Sequence, residues 1–157
     1  MKHLIAGLLT VTFTFFQAPD KRLLDLQKEQ TKLKGQTDPV AFTKSQIKIS
    51  GILLAFAGDA AQKGDSEVME KRLTEYLAAI QDAHKTMMKT GRDAHKKPGG
   101  FKELEIAIRR QLILLKDIGG TLTLDERAPV EKAREQAAAI RDDLLKALFG
   151  GLDAPGY

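Results

Sequence analysis

A chain of 157 residues, with 43% hydrophobic and 29% charged side chains, fits one globular domain rather than a disordered or membrane-embedded protein. Because it contains no cysteine, disulfides, thiolate metal ligands, covalent haem attachment and a cysteine nucleophile are all excluded. The net charge of +4 is too small to indicate nucleic-acid binding, and we expect no nucleic-acid partner.

The N-terminal segment has the three-part pattern of a secretory signal peptide. Lys2 gives a positive start, residues 4–16 form an uncharged apolar run, and Ala18 precedes a charged stretch. The run is shorter than the ~20 residues that a membrane-spanning helix needs. We expect residues 1–18 to be a cleaved signal helix and the product to be periplasmic or secreted. The alternatives are an uncleaved N-terminal anchor and a buried first helix.

The segment after the signal predicts a short polar helix. Residues 20–34 place Leu23, Leu26 and Leu33 near one face at helical spacing. Gly35 ends the pattern. We expect this helix to pack beside the longer ones rather than to form the body of the fold.

A second helix is predicted to begin at Pro39 and to run to about Lys63. Asp38 is suited to accept the free amides of its first turn, and proline suits the first helical position. Residues at every seventh position form one row, namely Val40, Ile47, Leu54 and Ala61. Close to this row lie Ile49, Leu53, Phe56 and Ala60. We judge neither this helix nor any later stretch apolar and long enough to cross a bilayer.

The third helix is the clearest amphipathic segment. Asp65 or Ser66 is predicted to cap it, and it is expected to be about 25 residues long. Its apolar residues follow each other at steps of three and four, which is typical of a packed helical seam. These residues are Met69, Leu73, Tyr76, Ile80, Ala83 and Met87.

Two further helices complete the predicted fold. After the break at residues 98–100, a fourth helix over 101–118 is apolar on more than one face, and we expect it to be the most buried. Residues 119–120, both glycine, are predicted to end it. Thr123 and Glu126 have capping-box spacing for a fifth helix, in which Pro129 predicts a kink or a restart.

The pattern as a whole predicts an all-α fold, because no segment alternates as a β-strand does. Short turns rich in glycine favour a small up-and-down bundle of four to five helices after the N-terminal signal helix. We expect residues 19–150 to form the helical-bundle domain and residues 151–157 to be a flexible C-terminal tail.

One basic segment is the main candidate for a functional surface. Between positions 85 and 102 six residues are basic and Asp93 alone is acidic, which gives a local charge of +5. Such a segment is suited to anionic lipid headgroups, to envelope polymers or to an acidic protein. The alternative is a solvated helix end without a partner. The six residues are Lys85, Lys89, Arg92, Lys96, Lys97 and Lys102.

A second candidate is a copper(I) site at His84, Met87 and Met88, which lie within one helical turn. Thioethers and imidazole suit this metal, although Met87 also continues the core seam. The sequence Asp-Ala-His-Lys occurs at 82–85 and again at 93–96. The two histidines would share one face, ~16 Å apart, if the third helix continued that far.

No motif indicates catalysis or a bound cofactor, and we predict neither. Glu-x-x-His pairs, a phosphate-binding glycine loop and Gly-x-Ser-x-Gly are absent from the sequence. The leading interpretation is a non-enzymatic exported protein that binds or scaffolds in the cell envelope through its basic segment. The alternatives are a periplasmic carrier of a small ligand or copper, and a helical enzyme whose site no motif reveals. The apolar fourth helix is also compatible with a homo-oligomer.

Overall fold

The computed structural model describes residues 20–150, and within that range it contains five α-helices and no β-strand. The predicted signal and C-terminal tail lie outside the described residues. The prediction of a small all-α bundle is confirmed. The helices are α1 (Lys21–Leu33), α2 (Pro39–Gln62), α3 (Ser66–Lys89), α4 (Phe101–Thr121) and α5 (Ala128–Phe149).

Aspartates fix where the first three helices begin, because each accepts a hydrogen bond from an amide that the helix itself leaves free. Asp38 accepts from the Ala41 amide at 2.7 Å, and Pro39 occupies the start of α2, as predicted. Asp65 accepts from the Val68 amide at 3.1 Å before α3. Asp20 has the same role before α1.

Four of the helices form a ring in the order α2, α3, α5, α4, and α1 packs on the outside of α2 alone. Neighbours along the chain run antiparallel. Gln111 of α4 donates to Ser50 of α2 at 2.8 Å, and Ile118 lies 3.6 Å from where a Cβ on Gly58 would be, so α2 and α4 run in the same direction. α3 and α4 are therefore diagonal, and the connection between them, residues 90–100, crosses one end of the bundle.

The seam predicted on α3 forms the centre of the core. All six of its predicted residues are buried, and Tyr76, Ile80, Ala83 and Met87 have no exposed surface at all. α3 faces α2 on one side and α5 on the other. Burial of each large side chain in this seam contributes roughly 1.5–3 kcal/mol to the stability of the fold.

The row of residues at every seventh position on α2 packs against the core, although only one of its four members is fully buried. Leu54 is buried, but Val40, Ile47 and Ala61 are only partly buried. The reason is that α2 contacts α1, α3 and α4, so its buried positions do not follow one seven-residue row. The fully packed positions also include Ile49, Leu53, Ala57 and Ala60.

By length and composition α2 also qualifies as a candidate membrane span, with a mean hydropathy of 1.2 over its best window, contrary to our expectation. Within the described residues, 44% of that window is buried against the rest of the protein. Core helices of bundles meet the same criterion, and the contacts of α2 with three other helices are those of a core helix.

α4 also differs from the prediction. It continues through Gly119 and Gly120 to Thr121, and Gly119 is buried against α5, where an added Cβ would lie 3.6 Å from Val130 and Glu131. It is not the most buried helix, since Ile113 and Leu114 are 60% and 49% exposed. Leu114 lines a shallow groove between α4 and α2.

The start of α5 follows the prediction of a restart near Pro129. Glu126 accepts a hydrogen bond from the Thr123 hydroxyl at 2.7 Å and another from its amide, as the capping-box spacing indicates. These bonds close a turn, and the helix proper begins at Ala128 with the proline in its first turn. Proline is tolerated there because those amides have no intrahelical partner.

Candidate functional site

The six basic residues of the predicted surface lie at one end of the bundle, which we call the basic end. They come from the last turns of α3, the connection and the first turn of α4, and all six are exposed. Among the described residues, Lys96 is the one member with an ion-pair partner, Asp93 at 3.6 Å. Five cations are therefore available to an external anion.

The connection begins with a defined helix end. α3 stops at Lys89, and the Thr90 hydroxyl donates to the Met87 carbonyl at 2.6 Å. Gly91 has a φ of +62°, a left-handed conformation that glycine adopts without strain and that turns the chain away from the helix axis. Arg92 therefore projects from the connection rather than from the helix.

A turn built on Asp93 holds the middle of the connection. Its carboxylate accepts hydrogen bonds from the amides of His95 (3.0 Å) and Lys96 (3.3 Å). The bond from the Lys96 amide contributes most to keeping the pKa of Asp93 below its usual value. Ala94 is buried beneath this turn, and the His95 ring nitrogen Nδ1 lies 3.1 Å from the Leu148 carbonyl oxygen on α5. Lys96 and Lys97 consequently sit on an anchored backbone.

The last part of the connection is held against α3. Gly100 has a φ of +87°, and a Cβ at this position would lie 2.6 Å from the Met87 sulfur. The Gly100 amide donates to the Glu103 carboxylate at 2.7 Å, which caps the start of α4. Only glycine combines this backbone conformation with so close an approach.

The three copper candidates differ in how far they are buried. Met87 is fully buried against Gly100, whereas Met88 is 47% exposed. His84 is half-buried, and its Nε2 has no hydrogen-bond partner among the described residues. Burial lowers the pKa of His84, while the negative charge of Asp143 opposes this shift.

The repeated tetrapeptide does not place two histidines on one helix face. Because α3 ends at Lys89, His84 lies on the helix and His95 lies in the connection. Within residues 20–150, no group of three or more histidine, aspartate or glutamate side chains is arranged to hold a metal ion.

A groove that sequence reasoning did not identify lies beside the basic end. It encloses about 520 Å³ between residues 94–98, α4 and α5. Its charged lining consists of Lys102, Glu105, Arg109 and Arg141. Its apolar lining includes Ile106, Leu145, Leu148 and Phe149.

A buried carboxylate organises the charged part of this groove. Glu105 is 7% exposed, and its Oε1 accepts a hydrogen bond from Arg141 Nε at 2.9 Å and faces Arg109 Nε at 3.7 Å. The spacing of four residues to Arg109 is the one sequence signal of this cluster, since Arg141 lies on another helix.

Two further buried polar contacts have structural roles. Gln111 donates to Ser50, whose hydroxyl donates in turn to the Ile47 carbonyl, so this pair joins α2 to α4. Glu29 of α1 is buried and accepts hydrogen bonds from Lys32 at 2.7 Å and from Lys48 of α2 at 3.3 Å. Its pKa is lowered, chiefly by Lys32. Neither contact brings together a nucleophile and a base.

No family model, curated protein or solved structure matches this chain.

Proposed function

We propose that this protein is a non-enzymatic, exported binding protein of the cell envelope whose basic end docks on an anionic membrane surface. The observation that carries the proposal is a set of five exposed cations at one end of the bundle, which have no ion-pair partner within residues 20–150. The alternative is a solvated helix end without a partner. It predicts no binding to anionic vesicles, whereas the proposal predicts binding.

The anchored connection supports this role. Three of the six basic residues, Arg92, Lys96 and Lys97, lie on a backbone that is held in place by Asp93, by the contact of His95 with α5 and by the contact of Gly100 with Met87. Because this backbone is already ordered, docking would restrict mainly the side chains. Each lysine or arginine near an anionic surface contributes about 1 kcal/mol, and salt screens the attraction.

Export is the second part of the proposal and rests on the pattern of residues 1–18. Expression of the full chain in a bacterial host, followed by fractionation and intact-mass measurement, tests it. We expect a periplasmic product that begins at or near Pro19. A cytoplasmic product of full mass would contradict export. It would not affect the docking proposal, which the vesicle experiment tests separately.

Docking is tested by cosedimentation of the purified chain with vesicles of phosphatidylglycerol and phosphatidylcholine. We expect binding that salt weakens, and no binding to vesicles of phosphatidylcholine alone. Reversal of four charges by Lys89→Glu, Arg92→Glu, Lys96→Glu and Lys97→Glu should weaken binding by about tenfold or more.

A matched control reverses four exposed lysines at the opposite end of the bundle, namely Lys63, Lys71, Lys116 and Lys132. It has the same net charge as the first variant. We expect it to keep most of the binding, because local rather than total charge guides docking. Equal loss in both variants, or no binding to anionic vesicles, would contradict a docking role for the basic end.

The copper carrier stays a prediction, in which the thioether of Met87 is fully buried and that of Met88 is 47% exposed. The carrier of a small ligand has one specific observation in its favour, which is the groove between α4 and α5.

A further inference from the structure

We infer that the groove between α4 and α5 binds a fatty-acid anion, with the carboxylate at Arg141 and the acyl chain toward Phe149. This site is distinct from the docking surface, although Lys102 belongs to both. It extends the proposed function and does not depend on it.

Arg141 is positioned to hold a carboxylate. Its Nε is engaged by Glu105 at 2.9 Å, and among the described residues its two terminal nitrogens have no acceptor. A guanidinium fixed in this way presents a planar pair of donors, which matches the two oxygens of a carboxylate. Glu105 thus acts as a positioning residue for the guanidinium.

The net charge of the groove favours an anion. Its lining carries three permanent positive charges, on Lys102, Arg109 and Arg141, and one negative charge, on Glu105. The buried glutamate therefore neutralises one cation and leaves a charge of +2. An incoming carboxylate would pair with a cation that is already ordered.

The lining of the groove also changes from charged to apolar along its length. Because α4 and α5 are antiparallel, Arg109 lies one turn beyond Glu105, away from the connection, whereas Leu145 lies one turn beyond Arg141, toward it. Leu148 and Phe149 follow at the end of α5. The cluster of Glu105, Arg109 and Arg141 therefore lies away from the connection, and the apolar part lies toward it, where Lys102 also lines the groove.

The dimensions suit one acyl chain. From Arg141 to Phe149 the helix rises about 12 Å, and the volume of about 520 Å³ lies in the usual range of small-molecule sites. Phe149 is 56% exposed, so an apolar surface at this end is left uncovered by the described residues. A medium-length chain would cover it.

Calorimetric titration of the purified chain with sodium laurate, kept below its micelle concentration, tests the inference. We expect saturable binding of one laurate per chain. Dodecyltrimethylammonium, which has the same tail and the opposite charge, should not bind. Arg141→Gln should weaken laurate binding at least tenfold, and Arg141→Lys should recover part of the loss.

Because Arg141→Gln alters the partner of a buried carboxylate, a second variant tests the apolar end. Phe149→Ser changes an exposed side chain at the end of α5 and should weaken laurate binding several-fold without unfolding the protein. Arg134→Gln on the surface of α5 and Ile113→Ser on α4 are matched controls, since neither residue lines the groove. Both controls should bind laurate as the unmodified chain does.

Absence of saturable laurate binding would overturn the inference, as would equal binding of dodecyltrimethylammonium or undiminished binding by both groove variants. Binding to anionic vesicles that requires Arg141, without laurate binding, would show that the ligand is a membrane lipid instead. The charge-reversed variant at 89, 92, 96 and 97 separates the two proposals. It should lose vesicle binding and still bind laurate.

Discussion

The sulfur of Met87 on α3 occupies the space that a side chain at Gly100 would need, with a separation of 2.6 Å from an added Cβ. This contact joins the end of α3 to the start of α4, which lie diagonally across the bundle. Met87 is fully buried there, so its role is in packing. The close approach keeps the basic connection against the core.

Gly100→Ala should destabilise the protein by about 2 kcal/mol or more, because it adds a side chain at a φ of +87° and displaces Met87. Gly99→Ala is the control, since an added Cβ there meets no atom within 4 Å. Urea denaturation followed by circular dichroism measures both. Equal free energies of unfolding for the two variants would show that the Met87 side chain moves aside without destabilising the protein.

The seam on α3 gives a second prediction. Ile80→Ala should cost about 2–5 kcal/mol by leaving a cavity in a position with no exposed surface. Ile113→Ala removes the same atoms from an exposed position on α4 and should change stability by no more than about 0.5 kcal/mol. A cost below ~1 kcal/mol for Ile80→Ala would mean that this face of α3 is not core.

The start of α2 gives a third prediction. Asp38→Ala should lower the free energy of unfolding by about 1 kcal/mol, since the Ala41 amide loses its acceptor. Thr37→Ala, one position earlier and exposed, should have almost no effect. If both variants unfold at the same urea concentration, the carboxylate does not stabilise this helix end.

Half-burial of His84 predicts a dependence of stability on pH. Its pKa is lowered in the folded protein, so between about pH 7.5 and 5.5 the unfolded chain takes up a proton more readily. The contribution of His84 to stability is therefore present above its unfolded pKa and is lost as pH falls. We expect His84→Gln to reduce the slope of unfolding free energy against pH in this window. If the unfolding free energies of the unmodified chain and of His84→Gln change equally with pH, burial does not lower the pKa of His84.

The seam of α3 was predictable because every one of its members faces the same side of one helix, between two neighbours. The extent of burial along the α2 row was not, because α2 packs on three helices and its buried residues spread around its surface. Similarly, the apolar character of Ile113 and Leu114 indicated burial, yet no helix among the described residues covers them.

For the sites, the sequence located the basic segment but not the groove beside it. The six cations are close in sequence, so their clustering needs no knowledge of the fold. The contact of Glu105 with Arg141 joins residues that are 36 positions apart. It depends on the register between α4 and α5, which hydrophobic periodicity alone does not specify.

The measurement that tests the central claim most directly is NMR mapping of the ¹⁵N-labelled chain with bicelles that contain phosphatidylglycerol. Docking through the basic end predicts that the shifted or broadened amide signals cluster within residues 85–102. Signals that change instead in α1 or around Ile113 and Leu114, or no change at all, would contradict it.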